Sequence, residues 1–190
     1  MAILTGPEIR QQHAAGEIII EPWRPDNVGP ASVDLRLHAD LAVYNQFWPK
    51  HLGLGTTSHK PRPLDMRADN PTTPLVIPEE GMVLYPGILY LGRTVEKIRS
   101  DHLVPQVTGR SSVGRLGVQV HVTAGYGDPG FEGTITLEIT VIHPIRVYAD
   151  ERVCQVFFTK TEGEAQLYEG RYQGQVDPTA SRFHLKDGGW

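Results

Sequence analysis

Apolar residues along this chain recur mainly at short spacing, in runs of a few residues broken by Gly, Pro and Asn. That is the signature of strands and turns rather than long helices. One early stretch differs. Residues 5–15 read as a short helix: Thr5 with Glu8 fits a capping box, Pro7 falls in the first turn, and Gly16 follows as a stop. Strands are then expected at 18–20 and at 32–37, where Val33, Leu35 and Leu37 alternate with polar neighbours, and 41–47 extends the same sheet. Residues 48–74 are proline-rich and show no sustained period, so they read as an irregular surface excursion. After it, 81–84, the turn Tyr85-Pro86-Gly87 and 88–94 read as strand, turn, strand. Further strands are expected near 119–123, at 134–142 and at 153–159. The tail, 162–190, is polar with scattered glycines, and reads as a flexible segment or one that orders on a ligand.

The pattern predicts a single all-β domain spanning 1–190, a barrel or sandwich with little helix. Its 190 residues are enough for a real core, and 39% hydrophobic and 21% charged residues are ordinary for a soluble globular protein. No stretch approaches the ~20 apolar residues that span a bilayer. The N-terminus, MAILTGPEIRQQ, lacks the basic start and apolar core of a signal peptide, so a cytoplasmic protein without a membrane partner is expected. A net charge of −4 argues against a nucleic-acid polymer as partner, and any anionic ligand must be met by a local arginine cluster. The lone Cys154, in ERVCQVFF, reads as a buried inert thiol on a strand.

The chemistry concentrates in residues 109–138, GRSSVGRLGVQVHVTAGYGDPGFEGTITLE. Arg110, Ser111, Ser112 and Arg115 put two guanidinium groups and two hydroxyls within six positions. Guanidinium groups offer paired donors to phosphate and stay charged, while glycine-freed N–H groups add short donors. The alternative is a polar turn leading into a helical turn, and the run is not a Walker loop. In 134–139, strand alternation puts Ile135, Leu137 and Ile139 on one face and Thr134, Thr136 and Glu138 on the other. Taken alone, Glu138 reads as a solvated strand carboxylate; its neighbours in the run favour a chemical role. Asp128, in the turn Tyr126-Gly127-Asp128-Pro129-Gly130, either caps that turn or holds a sugar hydroxyl. His121 reads as a core or interface histidine before a catalytic one. Zinc nucleobase deaminases need His-x-Glu and Pro-Cys-x-x-Cys, which this chain lacks, and no tight cluster suggests a metal site.

GRSSVGRLG, HVTAG, DPGFEG and TLE together resemble the dCTP deaminases of the trimeric dUTPase-like superfamily. PASVDLRL, VLYPGILYLGRTVE and the tail's YEGRYQGQ are similar to that family too, so the resemblance covers nearly the whole chain except 48–74. It implies a distorted β-barrel with a short N-terminal helix and a C-terminal lid at 162–190, assembled as a homotrimer with active sites at subunit interfaces. It also implies zinc-free deamination, with Mg²⁺ accompanying the triphosphate. Carried over by motif, Glu138 is the proton shuttle for water attacking C4 of cytosine, Ser111 orients that water, and Arg115 positions Glu138 and the base. Arg110 and Ser112 hold phosphates, reaching across from a neighbouring subunit. Asp128 binds the deoxyribose 3′-hydroxyl, and Thr136 and Leu137 read the pyrimidine edge, partly through backbone groups. Gln155, Tyr168, Arg171 and Gln175 match the remaining nucleotide-binding positions, with Arg171 standing where the family usually carries Lys.

Two subclasses differ in whether dUTP is released or hydrolysed on to dUMP and pyrophosphate. The single-activity type tends to carry His after Thr-Ala; here the pair Ala124-Gly125 is followed by Tyr126, which is similar to the dUMP-forming type, and Gln155 agrees. A small residue at 125 is expected to leave room for a hydrolytic water near the α-phosphate. Gly127 stands where the family usually has Ile. The leading expectation is thus a dUMP-forming dCTP deaminase, acting on dCTP and dUTP, with dTTP as an inhibitor. The alternatives are a dCTP deaminase that stops at dUTP, a plain dUTPase, and a catalytically silent nucleotide sensor.

Overall fold

A computed structural model describes residues 2–45, 63–121 and 123–185. The chain is built mainly of strands, as expected. Helix α1 (Gly6–Ala14) begins after Thr5 and ends at Gly16, whose φ of +77° suits a residue without Cβ. The capping box does not form. Thr5 makes no side-chain cap, and the Glu8 carboxylate instead accepts from Gln12 Nε2 at 2.8 Å.

The largest sheet runs β4 (Thr72–Val76), β3 (Asp40–Tyr44), β6 (Tyr90–Arg99), β9 (Glu132–Val141), β8 (Val118–Gln119), with β1 (Ile19–Glu21) also paired to β6. A three-stranded sheet orders β2 (Val33–Arg36), β11 (Arg152–Lys160) and β7 (Leu103–Gly109), and β5 (Met82–Leu84) pairs with β10 (Ile145–Val147). These sheets share one core but do not close into a continuous barrel among the described residues. Leu35, Leu41, Leu84, Ile98, Leu137 and Phe158 are all buried at 1% exposure or less. One ion pair bridges two sheets inside it. Arg36 Nε donates to Glu96 Oε1 at 2.6 Å, and the Arg36 backbone N–H donates to Oε2 at 2.8 Å, so both charges are matched where water is excluded.

Four elements differ from the sequence reading, and proline explains three of the differences. The end of the 48–74 excursion is strand β4, where Pro74 is tolerated because β4 is the sheet's edge. The part of that excursion at 48–62 lies outside the described residues, as do 46–47 of the expected third strand. Strand β7 carries Pro105 on a sheet edge in the same way, and β10 follows directly on Pro144. The strand expected at 119–123 stops at Gln119. Beyond it the chain lies along the free edge of β7 as a strap. Val107 N–H donates to the Gly125 carbonyl at 2.7 Å, and Gly127 N–H to the Pro105 carbonyl at 2.8 Å.

The tail is anchored at its described residues rather than loose. Tyr168 N–H bonds the Pro129 carbonyl at 2.8 Å, and Thr134 N–H bonds the Gln175 carbonyl at 3.0 Å. Further on, Thr179 N–H bonds Thr136 Oγ1 at 3.3 Å, and Ser181 N–H bonds the Tyr44 hydroxyl at 2.9 Å. No helix among the described residues is long and apolar enough to cross a membrane.

Candidate active site

Strand β9 builds the site's wall. Leu137 and Ile139 point into the core at 0% and 2% exposure, which turns Thr136 and Glu138 to the opposite face. There they line a cleft of about 630 Å³, within the usual range for small-molecule sites. The β7 strap supplies Ala124 and Asp128 to the rim, and the tail supplies Tyr168 and Gln175. Six of the site residues expected from sequence therefore meet in one place: Ala124, Asp128, Thr136, Glu138, Tyr168 and Gln175.

Tail and body are tied together around this cleft. Gln175 Nε2 donates to the Thr134 carbonyl at 2.8 Å, and the Tyr168 ring packs edge-on to Phe131 at 5.9 Å. Arg171 does not line the cleft; its guanidinium donates to the Arg182 carbonyl at 2.8 Å, and the Arg182 guanidinium returns a bond to the Arg171 carbonyl. The Leu137 side chain is wholly buried, so of the contacts expected from it only the backbone ones are available to a ligand. Ile135, assigned to the core face, is half-buried and lines the cleft. A bulge in the β6–β9 pairing between Arg93 and Lys97, where Ile135 N–H bonds Thr94 Oγ1 at 2.9 Å, accounts for that irregularity.

The remaining expected residues form a second cluster, outside the cleft. Ser111, Ser112 and Arg115 lie exposed on helix α2 (Ser111–Arg115), which packs on β8. Arg110 precedes it, its Nε 3.0 Å from Asp34 Oδ1 and its Nη1 donating to the Arg152 carbonyl at 3.0 Å. Gln155 Oε1 accepts from Ser32 at 2.9 Å, which sets the amide beside Gly109. A single chain thus holds both halves of the expected constellation but keeps them apart. Exposed apolar side chains lie near the second half: Leu116 at 57% and Ile142 at 69%.

Gly125 is not a cleft residue. A Cβ there would sit closer to the Val107 carbonyl oxygen than real side chains do, and 3.3 Å from His121 Cδ2. Its missing side chain lets the strap lie against β7 and does not open space for a water. Gly127 serves the same approach, since a Cβ there would lie 2.9 Å from Pro105 Cγ.

The site residue underrated from sequence is His121. Its side chain is only 7% exposed, and its Nδ1 lies 3.5 Å from Glu138 Oε2. Tyr44 and Tyr172 also line the cleft; Tyr44 falls in no motif, and Tyr172 lies within the tail's YEGRYQGQ but is not singled out there. Cys154 is buried as expected, and burial pushes its thiol pKa far upward, so it is inert.

The arrangement is a nucleotide-sized cleft with a carboxylate midway along its wall and a second at its rim, closed over by the chain's own tail. Residues 3–161 match the family model described as dCTP deaminase-like. The chain belongs to the dCTP deaminase-like family. A Leptospira biflexa protein named dCTP deaminase, dUMP-forming, is 49% identical over 172 residues, covering 90% of each chain. A Cytophaga hutchinsonii protein of the same name is 46% identical over 172 residues, again covering 90% of each. Among solved structures, a 2′-deoxycytidine 5′-triphosphate deaminase from Agrobacterium tumefaciens superposes with a TM-score of 0.60 at 24% identity over 84% of this chain, which shows a shared fold. The chain spans about half, 48%, of that solved chain's length.

Proposed function

We propose that the protein hydrolytically deaminates dCTP and carries the product on to dUMP and pyrophosphate. The observation that carries this reading is Glu138: a strand carboxylate turned into a nucleotide-sized cleft, in a chain whose family relatives at 43–49% identity are named for this reaction. Those names also favour the dUMP-forming outcome over release of dUTP.

In this mechanism water enters between Glu138 and C4 of the cytosine. Glu138 takes one proton from the water as its oxygen attacks C4 and delivers it to N3. It then takes the second proton from the hydroxyl now on C4 and delivers it to the amino group, and ammonia leaves as the C4 carbonyl forms. Thr136 and the backbone of Leu137 define the pyrimidine edge, Asp128 takes the deoxyribose 3′-hydroxyl, and Tyr168 and Gln175 close the tail over the nucleotide. A second water then attacks the α-phosphorus and pyrophosphate departs.

Ser111, Arg115, Arg110, Ser112 and Gln155 act from a neighbouring copy in a homotrimer. Supporting this is the exposure of Ser111, Ser112 and Arg115 and the separation of all five from the cleft of their own chain. Arg171 serves the triphosphate through the tail. Mg²⁺ belongs to the proposal as a partner of the phosphate oxygens. Mg²⁺ usually keeps waters and substrate phosphates as ligands and takes few from the protein. The ion supplies charge neutralisation at the triphosphate. dTTP, a triphosphate without an amine at C4, is a proposed competitor for the same cleft, and the setting is the cytoplasmic nucleotide pool.

Glu138→Gln tests the reading. Shape and most contacts are kept while the proton shuttle is lost, so ammonia release falls by about 10²-fold or more while nucleotide binding is kept. Ammonia release near the wild-type rate would remove Glu138 from the role.

A further inference from the structure

His121 sits where the chain leaves β8, with its ring enclosed at 7% exposure. Its Nδ1 is fully buried and has no hydrogen-bond partner. Buried imidazole nitrogens are normally paired, and an unpaired one calls for an explanation. The group it faces is the Glu138 carboxylate, whose Oε2 is 3.5 Å away. The carboxylate is itself 38% exposed, toward the cleft. The strap closes in on the ring from Gly125, where even a methyl group would lie 3.3 Å from His121 Cδ2.

We propose that His121 is a positioning residue for Glu138: its Nδ1–H holds Oε2 of the carboxylate, so that Oε1 is the oxygen offered to water and cytosine. The inference rests on the reading of Glu138 as the proton shuttle. A shuttle that takes a proton from water and returns it to two atoms of the base must keep one oxygen facing all three. A carboxylate on a strand rotates freely about its last bond unless one oxygen is tied. The Nδ1–H tautomer ties it without adding a charge. A gap of 3.5 Å is long for a formed bond, and hydrogen bonds of this kind commonly tighten when substrate fills the site. The ring's burial and the strap behind it leave the imidazole little freedom to turn away.

Three substitutions separate orientation from packing. His121→Phe keeps a flat ring and removes the donor. His121→Asn keeps a donor where Nδ1 stands, and His121→Gln moves the donor out to the position of Nε2. Each full-length variant is assayed for kcat and KM of ammonia release from dCTP with Mg²⁺, and for direct dCTP binding. Phe and Gln are expected to lower kcat about 10- to 100-fold with binding changed less than about threefold, the scale on which a misplaced catalytic group is felt. Asn is expected to restore kcat to within about fivefold of wild type, since its amide replaces the lost donor in place. A Phe variant within twofold of wild type overturns the proposal, as does an Asn variant as slow as Gln. Should the Phe variant fail to fold, the Asn–Gln pair decides alone, because both are polar and close in size. Failure of the underlying reading looks different: Glu138→Gln then keeps its ammonia release whatever the His121 variants do.

Discussion

Gly125→Ala adds one methyl group, and the structure says where it must go. It meets the Val107 carbonyl oxygen inside contact distance and cannot be relieved by a side-chain rotation, because the obstacle is backbone. The strap must lift from β7. That puts at risk the bonds from Val107 N–H to the Gly125 carbonyl, 2.7 Å, and from Gly127 N–H to the Pro105 carbonyl, 2.8 Å. At about 1 kcal/mol each, losing both costs about 2 kcal/mol. For a chain of this size that lowers Tm by about 4–8 °C. The same strap carries Ala124 and Asp128 to the cleft and backs the His121 ring, so ammonia and pyrophosphate release should slow together, by about 10- to 100-fold. Calorimetry gives the first quantity, and parallel product assays the second. An unchanged Tm would refute the packing argument. Pyrophosphate release lost while ammonia release stays whole would favour instead a residue 125 that makes room for a hydrolytic water.

Mixed assemblies test the shared site. Ser111→Ala and Glu138→Gln chains are each expected to be inactive alone, but random co-assembly leaves about a quarter of interface sites with both native groups, hence about a quarter of wild-type activity; no recovery would contradict a site completed by a neighbour. Acid stability should depend on Arg99. The Lys97 hydrogen bond, helped by Arg99, holds the Glu132 carboxyl below its usual range, and the Arg99 hydrogen bond does so for Asp101. Carboxyls depressed in the folded state stabilise above their ordinary values, and that stability is lost as pH falls through and below about 4. Arg99→Gln should therefore lower Tm at pH 7 and flatten its decline toward pH 3, whereas parallel curves would refute the linkage. Phe158→Ala, at a fully buried position of β11, should cost about 3–5 kcal/mol in denaturant melts, and a loss under 1 kcal/mol would contradict its place in the core.

The parts legible in the sequence are those in which local pattern and tertiary role agree. Alternation along 134–139 separates the core side chains Leu137 and Ile139 from the cleft side chains Thr136 and Glu138, and the structure keeps that division. Gly16 ends α1 as read because a residue without Cβ adopts its positive φ at no steric cost. Strands β4, β7 and β10 were hidden by Pro74, Pro105 and Pro144, which look like breakers until edge positions are known. Ile135 packs on the core and also reaches the cleft, beside a bulge in β6 that leaves no mark in the composition. Gly125 appears in the sequence only as a small residue; whether smallness opens a cleft or admits a neighbouring strand is decided by Val107, eighteen positions away. His121 sits among alternating apolar residues and so reads as core, and its burial agrees. The carboxylate it faces comes from another strand.

The most direct test of the central claim is the fate of dCTP supplied with Mg²⁺ to the purified protein, followed by phosphorus NMR together with ammonia detection. The account predicts one ammonia, one dUMP and one pyrophosphate for each dCTP consumed, without a build-up of dUTP. Ammonia accompanied by accumulating dUTP would contradict the dUMP-forming assignment, and dCTP left intact would contradict the deaminase itself.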